Sequence, residues 1–215
     1  MQRIGGISLI AGAILTVVGN FLAPRPDDPS SMGSYVNLWA SKPDQTRIAF
    51  FAILLGLWAL IFGFAAIYRS LTAAGASAWV RLGFYGTLAA TAVFSVALAL
   101  GLAGVKEAAS GASMTASATT LAAATDSAFG VSFLAYWAAM LFTGIGIAMS
   151  TVYPKWTGWL LIISGVVAAV FGGILRIFDG TSQTTELIFG AGALITSVVA
   201  LVLGIVITRR EMKAM

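Results

Sequence analysis

The chain has 215 residues, of which 59% are hydrophobic and 9% charged, with a formal charge of +4 and a mean hydropathy of +0.96. A soluble domain carries roughly 25% charged residues because its surface needs ionic groups, so this composition excludes an ordinary soluble fold and points to a membrane protein. Cysteine and histidine are both absent, which removes disulfides, thiol nucleophiles, Cys/His zinc sites, histidine-ligated haem and Ser-His-Asp catalysis together.

The first apolar stretch, residues 4–23, follows a lone Arg3. It is expected to be a retained helix rather than a signal peptide, because the apolar run is too long for a signal h-region and no A-x-A site follows it. Residues 24–41 form a connection. PRPDDPSS is turn-rich; Met32, Tyr35, Val36 and Trp39 then fall at i, i+3, i+4 and i+7, one stripe of a helix. A short amphipathic helix over 31–40 is expected, lying on the outer membrane surface, with a lid over a pocket as the sharper alternative. Ser41 is a candidate N-cap ahead of Pro43. The second and third spans cover 47–68 and 80–105, joined by a short link containing Gly75. The connection from Lys106 to Asp126 is rich in Ala, Ser and Thr. A helical extension is expected from about Thr119 onward, with a disordered linker as the alternative. Spans four, five and six cover 127–152, 156–178 and 187–208, with Pro154 and Lys155 forming a tight link and RREMKAM closing the chain.

Six spans put both termini on one side. That side holds Arg3, Arg69, Arg81, Lys155, Arg209, Arg210 and Lys213 against Glu211, a net +6. The other side holds Arg25, Lys42, Arg47, Lys106 and Arg176 against Asp27, Asp28, Asp44, Glu107, Asp126, Asp179 and Glu186, a net −2. The positive-inside rule then places both termini in the cytoplasm.

Small residues recur every seven positions: Gly5, Gly12, Gly19; Gly83, Ala90, Ala97; Gly158, Gly165, Gly172; and Gly190, Ser197, Gly204. Each series forms one stripe and permits close helix approach in lipid. The stripes predict a compact bundle with the fifth span packed centrally, and they offer surfaces for self-association. A remnant of three repeated hairpins and chance alignment among 24 glycines both account for the series.

No acidic or basic residue falls in the middle of a span, which argues against a proton relay, an ion-coupled transporter or a carboxylate metal site. No catalytic residue, metal or cofactor is assigned. The candidate ligand-binding residues gather at the outer boundary. Arg176 and Asp179 stand at i, i+3, about 30 Å from Trp156 at about 1.5 Å per residue. Asn20, Asp126 and Glu186 fall at the same face. One reading is an anion or headgroup site in which Asp179 orients the guanidinium. The other is a snorkelling arginine with a helix-end partner. Trp58, Tyr136, Trp137 and Phe142 are mid-span aromatics, expected to pack or meet lipid rather than line a pocket. The tail Arg209, Arg210 and Lys213 is too small for nucleic-acid recognition, and contact with anionic lipid suffices for it.

The link RSLTAAGASAWVRLG and the run GIGIAMSTVYPKWTGWLLIISGVVAAVFGGIL resemble an uncharacterised bacterial six-helix membrane family, domain of unknown function 4386. Tyr153-Pro154-Lys155-Trp156 ahead of the Gly-rich helix is the most recognisable part. The resemblance covers nearly the whole chain. It implies a bacterial integral membrane protein, no known activity and no family residues to carry over.

These features describe an all-α integral membrane protein, a single six-helix bundle over residues 1–215 of the bacterial inner membrane. It is expected to bind a lipid or hydrophobic ligand, or to serve as a subunit of a membrane complex, without catalysis. A small-solute transporter or channel with its mouth near Arg176 and Asp179 is the alternative. An interfacial enzyme would need two of Asp126, Asp179 and Glu186 within about 10 Å.

Overall fold

The computed structural model of the chain describes residues 2–72, 77–111 and 115–214. Gly75 therefore lies outside the described residues. Helix α1 spans Gln2–Leu22, α2 Met32–Ser41, α3 Pro43–Thr72, α4 Ser77–Ala109 and α5 Thr115–Met149. The fifth span is composite: α6 Lys155–Ala168, a π-helical segment Ala169–Ile174, and α7 Leu175–Asp179. Helix α8 covers Gln183–Ala214. Among the described residues six helical segments are long and apolar enough to cross a membrane, and the chain is a multi-pass membrane protein.

Each span packs antiparallel on the next, and the last returns to the first. The glycine stripes show why. Gly5, Gly12 and Gly19 face Ala66, Gly56 with Leu60, and Ile53, in that order along α3. Gly204 of α8 meets Gly6 and Ile10 of α1, which closes the ring. Without side chains at these points the backbones approach closely enough for extensive van der Waals contact, the main attraction between helices in lipid. One apolar core runs through the ring, including Leu9, Ile67, Leu98, Met140, Leu161 and Leu203, all fully buried. Large apolar side chains such as Phe21, Phe62 and Phe178 point outward, where hydrocarbon rather than water is the solvent they suit.

The fifth span is not the central one. Only 33% of its most apolar window is buried, against 56% for the fourth. Glycines bring one face of a helix close to a neighbour and leave the rest outside; α5 instead is contacted by α2, α4, α6, the π segment and α7. The stripe also shifts. Gly158 and Gly165 face α5, but Gly172 faces Phe189 of α8, and Gly173 takes the α5-facing position against Leu134. The spacing becomes seven and then eight because the π segment inserts one residue. The Leu175 N–H donates to the Val170 carbonyl, five residues back, and one extra residue turns everything downstream by about 100°. Gly190 in the last series meets nothing within 4 Å, so no packing depends on it.

Two local expectations change. Ser41 ends α2 and donates back to the Leu38 carbonyl at 3.1 Å. Lys42 is the residue that opens α3, its carbonyl accepting from the Thr46 N–H and hydroxyl at 3.1 and 2.9 Å. Helix α2 also does not lie with its apolar stripe on lipid. Val36 and Trp39 are buried in a second core with Val105, Ala108, Ala118 and Ala122, formed by the ends of α4 and α5. These two helices have 33 and 35 residues, about 50 Å each, longer than the roughly 30 Å of hydrocarbon. Their excess, including the Ala-rich segment from Thr115, builds the platform on which α2 docks. The Ser31 hydroxyl caps α2 by accepting from the Ser34 N–H at 3.4 Å. In the preceding turn Asp28 accepts from the Ser30 hydroxyl and N–H at 2.6 and 2.9 Å, and these bonds lower its pKa.

Candidate functional site

Arg176 lies just past the π segment, so the inserted residue sets its direction. The side chain turns to α5, where its Nε donates to Asp126 Oδ1 at 3.0 Å and its Nη2 donates to the same oxygen. The Thr181 hydroxyl donates to that oxygen as well, at 3.1 Å. The guanidinium carbon lies 5.5 Å from the centre of the Phe133 ring, within cation–π range. Phe133 in turn packs against Phe94, Phe129 and Phe189. Side-chain exposure is 11% for Arg176 and 20% for Asp126, so the pair is largely withdrawn from solvent. Arg176 is therefore not a snorkelling side chain. It ties α7 to α5 across 50 residues of sequence.

Helix α2 closes over this pair. The Tyr35 hydroxyl donates to Glu186 Oε1 at 3.0 Å, joining α2 to the first turn of α8. Burial raises the Tyr35 pKa above its ordinary 10.0, and the Glu186 charge raises it further, with Arg176 opposing. The raised value has a definite sign. The tyrosine remains a neutral donor in full below pH 10.0, and the contact is lost only as pH climbs beyond that value. Docking of α2 should thus be insensitive to Tyr35 titration near neutrality. Replacing Tyr35 with Phe leaves the Glu186 carboxylate without this donor and should weaken docking by about 1.5–3 kcal/mol. Amide exchange at Val36–Trp39 reports it, with at least tenfold faster exchange expected in the variant.

The boundary residues expected from sequence divide into two groups. Arg176 and Asp126 pair directly, and Glu186 joins them through Tyr35, whose hydroxyl donates to it and which also feels both members of the pair. Asp179 does not orient Arg176: it is exposed at the last position of α7, and Gly180, at φ 81°, turns the chain away immediately after it. Asn20 donates to its own helix, to the Thr16 carbonyl at 2.8 Å. The pairing of opposite charges in one small volume makes the cluster a tie between α2, α5, α7 and α8. An incoming anion would have to displace Asp126 from Arg176.

A second feature lies toward the other end of the bundle, about 24 Å along α5 from Asp126 to Phe142. A groove of about 600 Å³ opens on the surface between α4 and α5. Its floor is made by small residues, Gly86, Ala135 and Ala138, and its sides by Leu82, Tyr85 and Phe142, with Arg81 at its mouth. Trp79 stacks on Phe142 at 5.9 Å. The sequence places Arg81 only as a topology charge and Phe142 as an aromatic that packs or meets lipid rather than lining a pocket, and it singles out neither Ala135 nor Ala138. The legible signal was a run of small residues on α5 beside exposed aromatics on α4.

Among the described residues no three Asp or Glu side chains come together as a metal site. Neither the curated proteins nor the solved structures contain a match to this chain. A family model does match, over residues 4–208. That span takes in the Arg176 cluster, the groove and parts of all six long apolar helices found among the described residues, and the chain belongs to the family described as Domain of unknown function (DUF4386).

Proposed function

We propose that the chain is a non-catalytic protein of a bacterial inner membrane, with both termini cytoplasmic, that acts by binding a membrane lipid or a similar hydrophobic molecule. The observation that supports this most is the apolar, lipid-facing groove between α4 and α5. The groove is open to the surface and lined almost wholly by apolar side chains, as a bed for an acyl chain needs to be rather than a closed pocket for a soluble molecule. The orientation rests on the excess of basic residues at the ends that share a side with the termini. A transporter would need a polar path into the bundle, whereas Leu9, Leu60, Met140 and Leu203 fill that region, and α2 covers the outer end near Arg176. A role as subunit of a membrane complex comes second, favoured by the small-residue faces.

Mass spectrometry of lipids and proteins that co-purify in mild detergent tests this directly. Retention of about one lipid per chain through repeated washing is expected. A stoichiometric protein partner without lipid would favour the complex-subunit role. A monodisperse sample carrying neither would overturn the proposal.

A further inference from the structure

We infer that the groove between α4 and α5 is a site for an anionic phospholipid, its phosphate held by Arg81 and one acyl chain laid along the small-residue floor. This rests on the lipid-binding function proposed above and names the ligand class and the recognising residue.

Charge comes first. The lining of the groove contains one cation, Arg81, and no acid. Arg81 is exposed and takes no part in any ion pair among the described residues. A guanidinium at the mouth of an apolar groove complements a headgroup that carries net negative charge, and its planar fork matches phosphate oxygens. Depth comes next. Tyr85 stands at i+4 from Arg81, on the same face of α4 and 59% exposed. Its backbone sits about 6 Å deeper along the helix, and a helical side chain leans back toward the N-terminus, which keeps the hydroxyl near the headgroup level with Arg81. Trp79 and Tyr85 are also the residue types that favour the membrane–water boundary, where a headgroup lies.

The occupant is argued from size. The groove runs for about 10 Å along α5, from Ala135 to Phe142. A partner helix crossing the bilayer would need contact over much of roughly 30 Å, while one acyl chain under a headgroup is served by a short furrow. The same small side chains that give α4 and α5 their close contact (a Cβ on Gly86 would lie 2.9 Å from that of Ala139) leave the furrow between the bulkier Leu82, Tyr85 and Phe142.

The experiment is native mass spectrometry of the full chain in detergent with equal amounts of phosphatidylglycerol and phosphatidylcholine. Wild type is expected to favour phosphatidylglycerol by about fivefold, the size of one basic contact to an anionic lipid. Arg81→Gln should bring the two lipids to parity and Arg81→Lys should retain part of the preference. Lys155→Gln removes an exposed charge beginning the next span and should leave the ratio unchanged. Ala138→Trp, which fills the floor, should reduce adducts of both lipids. Lipid adducts without preference, or a preference that survives Arg81→Gln, would overturn this inference and leave lipid binding standing. No adducts of either lipid would overturn both. A dimer that Ala138→Trp dissolves, with lipid adducts unchanged, would put a second copy in the groove and overturn the inference.

Discussion

Replacing Asp126 with alanine should destabilise the purified protein by about 3 kcal/mol. The substitution leaves the Arg176 guanidinium, only 11% exposed, beside Phe133 without its counter-charge. It also removes the acceptor of the Thr181 hydroxyl. Breaking a buried pair costs roughly 3–5 kcal/mol, and the lower figure applies because this pair sits near the end of the bundle. At about 2–4 °C per kcal/mol for a chain of this size, the thermal midpoint in detergent should fall by about 6–12 °C. Asp126→Asn keeps an acceptor and should fall by less. Removing both charges together, as Asp126→Leu with Arg176→Met, should recover most of the loss, since a buried pair is often no better than apolar side chains of similar volume. An Asp126→Ala protein as stable as wild type would mean that Arg176 answers to something other than Asp126, and the anion-site reading would regain its place.

The second large effect is expected at Gly158. A Cβ there would lie 2.6 Å from the Ala148 nitrogen and 2.7 Å from the Gly144 carbonyl oxygen. Both are backbone atoms, so no side chain can swing aside. Gly158→Ala should cost about 2–3 kcal/mol by forcing α5 and α6 apart, and Gly158→Leu should prevent their contact. Gly190→Ala is the control. Nothing lies within 4 Å of that position, and the helix should gain up to about 1 kcal/mol. Folded yield and thermal midpoint in detergent report both. An equal gain at Gly158 and Gly190 would show that helix propensity, not helix contact, governs these stripes.

The contrast between Gly158 and Gly190 also marks how far the sequence could be read. Hydropathy locates six apolar runs, because the bilayer imposes a minimum apolar length on every crossing segment, but not the helix ends: α5 begins at Thr115, twelve residues ahead of the run that starts at 127. The stripe Gly5, Gly12, Gly19 translated directly into the α1–α3 contact, since both helices are regular throughout. The stripe in the fifth span broke at Gly172, because periodicity assumes an unbroken helix and the π segment at Ala169–Ile174 shifts the register by one. That same shift hid the partner of Arg176. Local spacing suggested Asp179 at i+3, but the extra residue turned the guanidinium to Asp126, 50 positions earlier, and no short-range pattern encodes such a pairing. The burial of α2 was hidden for a related reason. Met32, Tyr35, Val36 and Trp39 declare an apolar face but not whether lipid or protein covers it. The groove at Arg81 was the least legible, because its floor is built from alanines and a glycine that no motif or spacing singles out.

With both termini cytoplasmic, as proposed, the bundle puts the Arg176–Asp126 tie outside and the Arg81 groove at the cytoplasmic leaflet. The chain has no cysteine, so single cysteines report position without background. Gln183→Cys, exposed at the start of α8, and Thr151→Cys, exposed between α5 and α6, probe the two ends of the fifth span. Labelled in intact cells with a membrane-impermeant maleimide, residue 183 should react at once, and residue 151 only after the membrane is permeabilised. Reaction of 151 but not 183 in intact cells, or equal reaction of both, would contradict this arrangement.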